Sequence, residues 1–229
     1  MTDTNSNTSE DILRTSQTDQ GEHLFFEKEL KAALSLRETC VDDISAKKVH
    51  LGPKTKKHTL VLDIDNTLVI AKLVEKDYGT DGNVNRKQSL EIKLRPYVHH
   101  LLREMSKLYE IVLFTAGSEE YASQIRRSLD PNGKYIAAAL GSSFCTITEE
   151  GYHIKDLRIF ADRDIKNMVM VDDRITSFAY QINNGIPVVP FMGNDNDREL
   201  QLLINYLAEL YSTDDIPAFN QRRLNIVNC

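Results

Sequence analysis

Three short apolar runs in this chain end in oxygen-bearing side chains: VLDIDNT at 61–67, VLFTAG at 112–117 and VMVDD at 169–173. Each run is too short and too uniformly apolar for a surface element, so each predicts a strand buried on both faces. Between and after them lie stretches with helical spacing. Val98, Leu101, Leu102, Met105 and Leu108 form one stripe, Tyr121, Ala122, Ile125 and Leu129 a second, and Leu200, Leu203, Ile204, Leu207 and Leu210 a third. A further helix is expected around ITSFAYQI and a further strand at IPVVPF. Buried strands alternating with amphipathic helices predict an α/β fold with a doubly wound parallel sheet. Ligands bind such sheets at the carboxyl ends of the strands.

Carboxylates are costly to bury unless paired or bound to a metal. If the three strands are neighbours, Asp63, Asp65, Thr115, Asp172 and Asp173 meet in one crevice. Four carboxylates at that spacing repel one another unless a cation stands among them, and hard oxygen ligands suit magnesium. Taken singly, the same residues have plainer uses: acidic pairs occur in solvated turns, Thr115 precedes a helix it could cap, and Asp172 and Asp173 could cap likewise.

The chain has 229 residues, room for one domain with appendages. Residues 1–22 are polar and are expected to be a disordered tail; 23–57 hold an amphipathic helix within 24–40 and a basic linker. Residues 58–215 form the domain, and 216–229 read as a loose tail. The basic segment at 46–58 carries five lysines and two histidines, which fits a solvated linker or a nuclear import signal. A net charge of -6 argues against direct nucleic-acid binding. No run reaches the roughly 20 apolar residues of a membrane span, and no secretory signal is visible, so an intracellular location, nuclear or cytoplasmic, is expected. The three cysteines, Cys40, Cys145 and Cys229, are dispersed and read as free thiols.

The acidic motifs do not stand alone. DIDNTLV resembles the Asp-x-Asp-x-Thr motif of the haloacid dehalogenase superfamily. Within it, LRPYVHHLLREMSKLYEIVLFTAGSEEYA, YHIKDL and VDDRITSFAYQINNGIPVVPFMGNDNDREL resemble, in order, further segments of the small phosphatases that act on the C-terminal domain of RNA polymerase II. This resemblance implies a Rossmann-like fold with a small polar insert after the first strand and no large cap domain. It implies a magnesium-dependent phosphatase of phosphoserine or phosphothreonine in proteins, working through an aspartyl-phosphate. Asp63 is then the nucleophile and Asp65 the general acid and base. Magnesium is held by Asp63, the Asp65 carbonyl and Asp173. Thr67, Thr115, Ala116 and Lys155 hold the phosphate, and Asp172 supports them. A metabolite phosphatase and an inactive phosphopeptide-binding scaffold are the alternatives.

The chain departs from that pattern in several places. Ser142 and Ser143 of GSSFC stand where relatives carry an arginine and a glutamate. LVEKDY in the insert offers little for an apolar pocket, so a preference for proline beside the phosphoserine is not expected. Asn66 is expected to face away from the phosphate if strand alternation holds. Arg95 and Tyr152 are read as structural residues.

Overall fold

A computed structural model describes residues 24–37, 44–78 and 85–224. The polar stretch 1–22, the end of the N-terminal helix at 38–40, Cys40 and Cys229 lie outside the described residues.

At the centre is a five-stranded parallel sheet in the order β5-β4-β1-β8-β9. Its strands are β1 (His58–Leu62), β4 (Tyr109–Phe114), β5 (Ile136–Leu140), β8 (Met168–Asp172) and β9 (Gly185–Pro187). The three acidic or hydroxyl-tipped strands are therefore neighbours: β1 lies between β4 and β8, pairing Leu62 with Leu113 on one side and with Val171 on the other. Every residue of β1, β4 and β8 is buried, which is why their sequences are apolar without alternation.

The pleat sorts these residues onto two faces. Leu60, Leu62, Ile111, Leu113, Val169 and Val171 pack with the buried stripes of α2 (Val98–Leu108), α3 (Glu119–Leu129) and α4 (Glu199–Leu210). A core leucine there, such as Leu102, contributes enough that replacement by alanine costs about 2–5 kcal/mol. Val61, Val112, Phe114, Met168 and Met170 face the other way.

That second face departs from the expected pattern. The ITSFAYQI segment is a 3-10 succession, Ile175–Asn184, broken at Phe178 (ψ 26°) and Gln181 (ψ 55°). Packing overrides propensity here. The Phe178 ring lies so close to Gly185 that a Cβ at that glycine would come within 2.1 Å of it, and Gln181 uses its carboxamide on Leu157 N–H and Asp156. The gap is filled by helix α1 (24–37), whose Ala33 and Leu36 are buried among these residues.

Two segments read as loose are ordered parts of the domain. The basic segment is docked: Val49 pairs with Phe160, Lys47 Nζ donates to Cys145 O at 2.5 Å and Lys57 Nζ to Thr213 O at 2.8 Å. Residues from Ile216 form helix α5 (Ile216–Leu224), with Ile216 and Asn220 buried. Pro217 falls in its first turn, where a missing N–H removes no helical bond. The polar insert is a hairpin of β2 (Val69–Tyr78) and β3 (Asn85–Leu94), antiparallel from Val69↔Leu94 outward. A second, shorter hairpin joins β6 (Thr146–Ile147) to β7 (His153–Ile154) and delivers Lys155 to the sheet's carboxyl end.

Candidate active site

Asp63 is the first residue past β1, and its N–H still donates to Val171 O at 2.9 Å, so the ladder holds the strand to its tip. The chain then turns: Leu68 and Val69 N–H both donate to Ile64 O, and Asn66 adopts a φ of 58°. Asparagine is among the few residues that take this left-handed conformation readily. The alternation that would turn Asn66 outward ends with the strand, and Asn66 lines the crevice. Thr67 does not. Its side chain is fully buried and its hydroxyl accepts the Asp173 N–H at 3.1 Å, tying the first loop to the acidic loop after β8.

Arg95 fastens the same loop from behind. Its Nε and Nη2 reach the two carboxylate oxygens of Asp197 at 2.9 Å each, Nη1 donates to Thr67 O at 3.2 Å, and Nη2 donates to Val189 O at 2.8 Å. A buried guanidinium is stable only when satisfied in this way.

On one side of the crevice stand Asp63, Asp172 and Asp173, all buried, with one carboxylate oxygen of each within 4.8 Å of the others. Lys155 Nζ bridges Asp63 Oδ1 and Asp172 Oδ2, the latter at 2.6 Å. Asp172 Oδ1 accepts the Arg174 N–H at 2.8 Å. Burial, opposed by Lys155 and aided by Asp172 and Asp173, pushes the Asp63 carboxyl up to about 8. Burial likewise pushes Asp173 up to about 7, with Asp172 adding to it. Burial alone would lower Lys155, yet Asp172 and Asp63 outweigh it and hold the ammonium charged. Three carboxylates sharing one ammonium thus leave unbalanced negative charge. An all-oxygen donor set of that charge fits a hard divalent cation such as magnesium, which the side chains of Asp63 and Asp173 would hold.

The other side is built of neutral groups. Asp65 accepts a hydrogen bond from Thr115 Oγ1 at 3.0 Å on Oδ2 and one from the Tyr121 hydroxyl on Oδ1. Thr115 follows β4, where its N–H donates to Leu140 O. It is not the helix cap: Ser118 Oγ accepts the Tyr121 N–H and starts α3. Tyr121 packs its ring against the core, where periodicity places it, and also turns its hydroxyl onto Asp65. Burial and the Asp65 hydrogen bond both raise its pKa, so it stays a donor. Gly117 makes room for it, since a Cβ there would lie 2.7 Å from the Tyr121 ring. A glycine just past the hydroxyl-tipped strand, four residues before a tyrosine, was the available signal.

Asp63, Asp65, Thr115, Lys155, Asp172 and Asp173 line a crevice of about 400 Å³ together with Ala116, Tyr152, His153 and Arg174, whereas Tyr121 lines a neighbouring pocket that shares Asp65. Cys145 is buried outside the crevice lining, and burial pushes its thiol up to about 11, so it is a core residue rather than a reactive thiol.

An Asp-x-Asp-x-Thr turn after the central parallel strand, a threonine after its neighbour, a lysine and an acidic pair together define a protein of the haloacid dehalogenase type. The chain belongs to the NLI interacting factor-like phosphatase family, matched over residues 58–217. It is 34% identical over 173 residues to the CTD small phosphatase-like protein 2 of Dictyostelium discoideum, covering 74% of this chain and 30% of that protein. With the CTD small phosphatase-like protein 3 of Caenorhabditis elegans it shares 36% identity over 160 residues, 68% of this chain and 55% of the relative. The chain thus spans under two thirds of either relative. The fold is shared with the structure of Fcp1, an essential RNA polymerase II CTD phosphatase, at a TM-score of 0.55 and 18% identity, covering 68% of this chain and 62% of that one.

Proposed function

We propose that this chain is a magnesium-dependent phosphatase of phosphoserine and phosphothreonine in proteins. The observation that carries the reading is the Asp63, Asp172 and Asp173 cluster, buried at the tip of the central strands with Lys155 as its single ammonium. In this reading Asp63 is the nucleophilic carboxylate, and the surplus negative charge beside it supports a bound cation.

Asp63 attacks the phosphorus, the bond from phosphorus to the serine or threonine oxygen breaks, and an aspartyl-phosphate forms. Asp65 gives its proton to the departing alkoxide. It then takes a proton from the water that attacks phosphorus, the bond to Asp63 breaks, and inorganic phosphate leaves. Thr115 and Tyr121 each donate to one Asp65 oxygen, and the second lone pair on each oxygen is left to carry the proton. Lys155 keeps positive charge where the phosphoryl oxygens gather negative charge. When bound, the divalent cation supplies the remaining charge compensation for the approach of two anions.

Protein substrates are favoured over metabolites by the architecture. Among the described residues between Thr67 and Thr115 there is a two-stranded hairpin and one helix, no cap domain that would close over a small molecule. The C-terminal domain of RNA polymerase II is the first candidate, because relatives are named for it. A nuclear location belongs to the same proposal and does not draw on the basic segment, whose Lys47, Lys48, Lys56 and Lys57 reach carbonyl oxygens of the domain.

The test is phosphate release from p-nitrophenyl phosphate and from a phosphopeptide array, each with magnesium and with EDTA. Turnover that requires magnesium, with phosphopeptides exceeding sugar and nucleotide phosphates in kcat/KM, is expected. No release with magnesium present would overturn the catalytic reading in favour of a phosphopeptide-binding scaffold.

A further inference from the structure

Arg174 directly follows Asp173 and lines the same crevice, yet the chemistry above does not use it. Its side chain is 49% exposed, whereas Lys155 is 3% exposed and committed to two carboxylates. The two cations thus sit at different depths, one at the reacting phosphate and one at the rim.

What holds Arg174 comes from outside the region that matches the family. Glu29, on α1, lies before residue 58, where the match begins. Its Oε1 accepts from Arg174 Nε at 3.0 Å and lies 2.8 Å from Nη2, while Oε2 accepts from the Thr176 hydroxyl at 3.0 Å. Glu29 is itself buried, on a helix anchored by Ala33 and Leu36 in the second core. Stability alone is a weak reason for this arrangement, because apolar residues of similar size would hold the helix as well as an ion pair does. A guanidinium offers five donors in a fixed plane. Glu29 takes the Nε donor and lies against Nη2, and the Nη1 donors have no partner among the described residues.

We propose that Arg174 binds an anionic side chain flanking the phosphorylated residue of the substrate, and that Glu29 is a positioning residue that keeps the guanidinium at the rim. The crevice then selects phosphopeptides with an oxyanion, carboxylate or second phosphate, beside the scissile one. This rests on the crevice being a phosphopeptide site, and the test separates the two claims by measuring binding apart from turnover.

Three phosphopeptides, identical except for glutamate, phosphoserine or glutamine beside the reacting phosphoserine, are titrated by fluorescence anisotropy in an Asp63→Asn background. The two anionic peptides should bind about tenfold tighter than the glutamine peptide, as expected for a charge-assisted hydrogen bond, and Arg174→Gln should reduce the preference to less than about twofold. A preference for the phosphoserine peptide alone would assign the site to a second phosphate, and equal gains to any flanking anion. The exchange Glu29→Arg with Arg174→Glu should restore the thermal midpoint lost in Arg174→Gln while reversing the preference. Equal binding of all three peptides overturns the proposal. So does an exchange that restores midpoint and acidic preference together, since the pair then only fastens α1. If the preference holds while the chain with Asp63 intact releases no phosphate, the hydrolytic reading fails and this one stands.

Discussion

Asp63 and Asp65 are two residues apart on one turn, yet they stand in opposite electrostatic surroundings. Around Asp63 everything is charged: Lys155 bridges it to Asp172, Asp173 lies beside it, and burial pushes its carboxyl up to about 8. Around Asp65 the partners are two hydroxyls, Thr115 and Tyr121. A charged surrounding makes ionisation of Asp63 depend on cations, which suits a nucleophile that attacks only when the site is loaded. The two neutral donors leave a second lone pair on each Asp65 oxygen, which suits the acid and base proposed for it. Two identical side chains thus meet different surroundings from the strands that flank them, and the proposed division of nucleophile and acid follows that difference.

The comparison is broken most severely at Asp63. Asp63→Asn should lower kcat by about 10⁴-fold or more on every substrate, the scale of losing a nucleophile. Circular dichroism should show the fold retained, and comparable residual rates would end the nucleophile assignment. Asp65→Asn should separate substrates. Loss of proton transfer costs about 10³-fold on alkyl phosphates such as a phosphoserine peptide. The same variant should lose markedly less on p-nitrophenyl phosphate, whose leaving group needs little protonation, and equal losses would refute the acid role. Lys155→Met should lower kcat by about 10²-fold through lost charge at the phosphoryl oxygens. It also leaves three carboxylates without an ammonium, so magnesium should raise its thermal midpoint more than that of the parent. A magnesium response no larger than the parent's would show that Lys155 and the cation do not share the same charge. Tyr121→Phe is the mildest. Removing one of two donors to Asp65, a net hydrogen bond of about 1 kcal/mol, should change kcat on the phosphoserine peptide by less than tenfold. Its effect on p-nitrophenyl phosphate should be smaller still, and a larger one would place Tyr121 at the phosphate rather than on Asp65.

How much of this was readable from the residues depends on the range of the interaction. The strands ending at Leu62, Phe114 and Asp172 could be read because runs of three or four consecutive apolar residues have few other places to go. The stripe of α2 was readable for the same kind of local reason. The 3-10 path of 175–184 was not, because its kinks answer to Gly185 and Asp156 rather than to its own composition. Thr67 was read by motif as a phosphate contact, whereas its hydroxyl serves the Asp173 amide. Tyr121 fitted the apolar period so well that its hydroxyl went unnoticed, and Arg95 gave no hint of Asp197.

The residues alone determined that the chain would fold as a parallel α/β sheet and that acidic tips would lie at its carboxyl edge. Both follow from periodicities that repeat within a few positions. The tertiary structure decided which charges would face each other. Lys155 meets Asp63 across 92 residues of chain, Arg95 meets Asp197 across 102, and Arg174 meets Glu29 across 145. A pairing at that separation leaves no period behind in the sequence; it exists only once the core has brought β1, β8 and α1 to one end of the sheet.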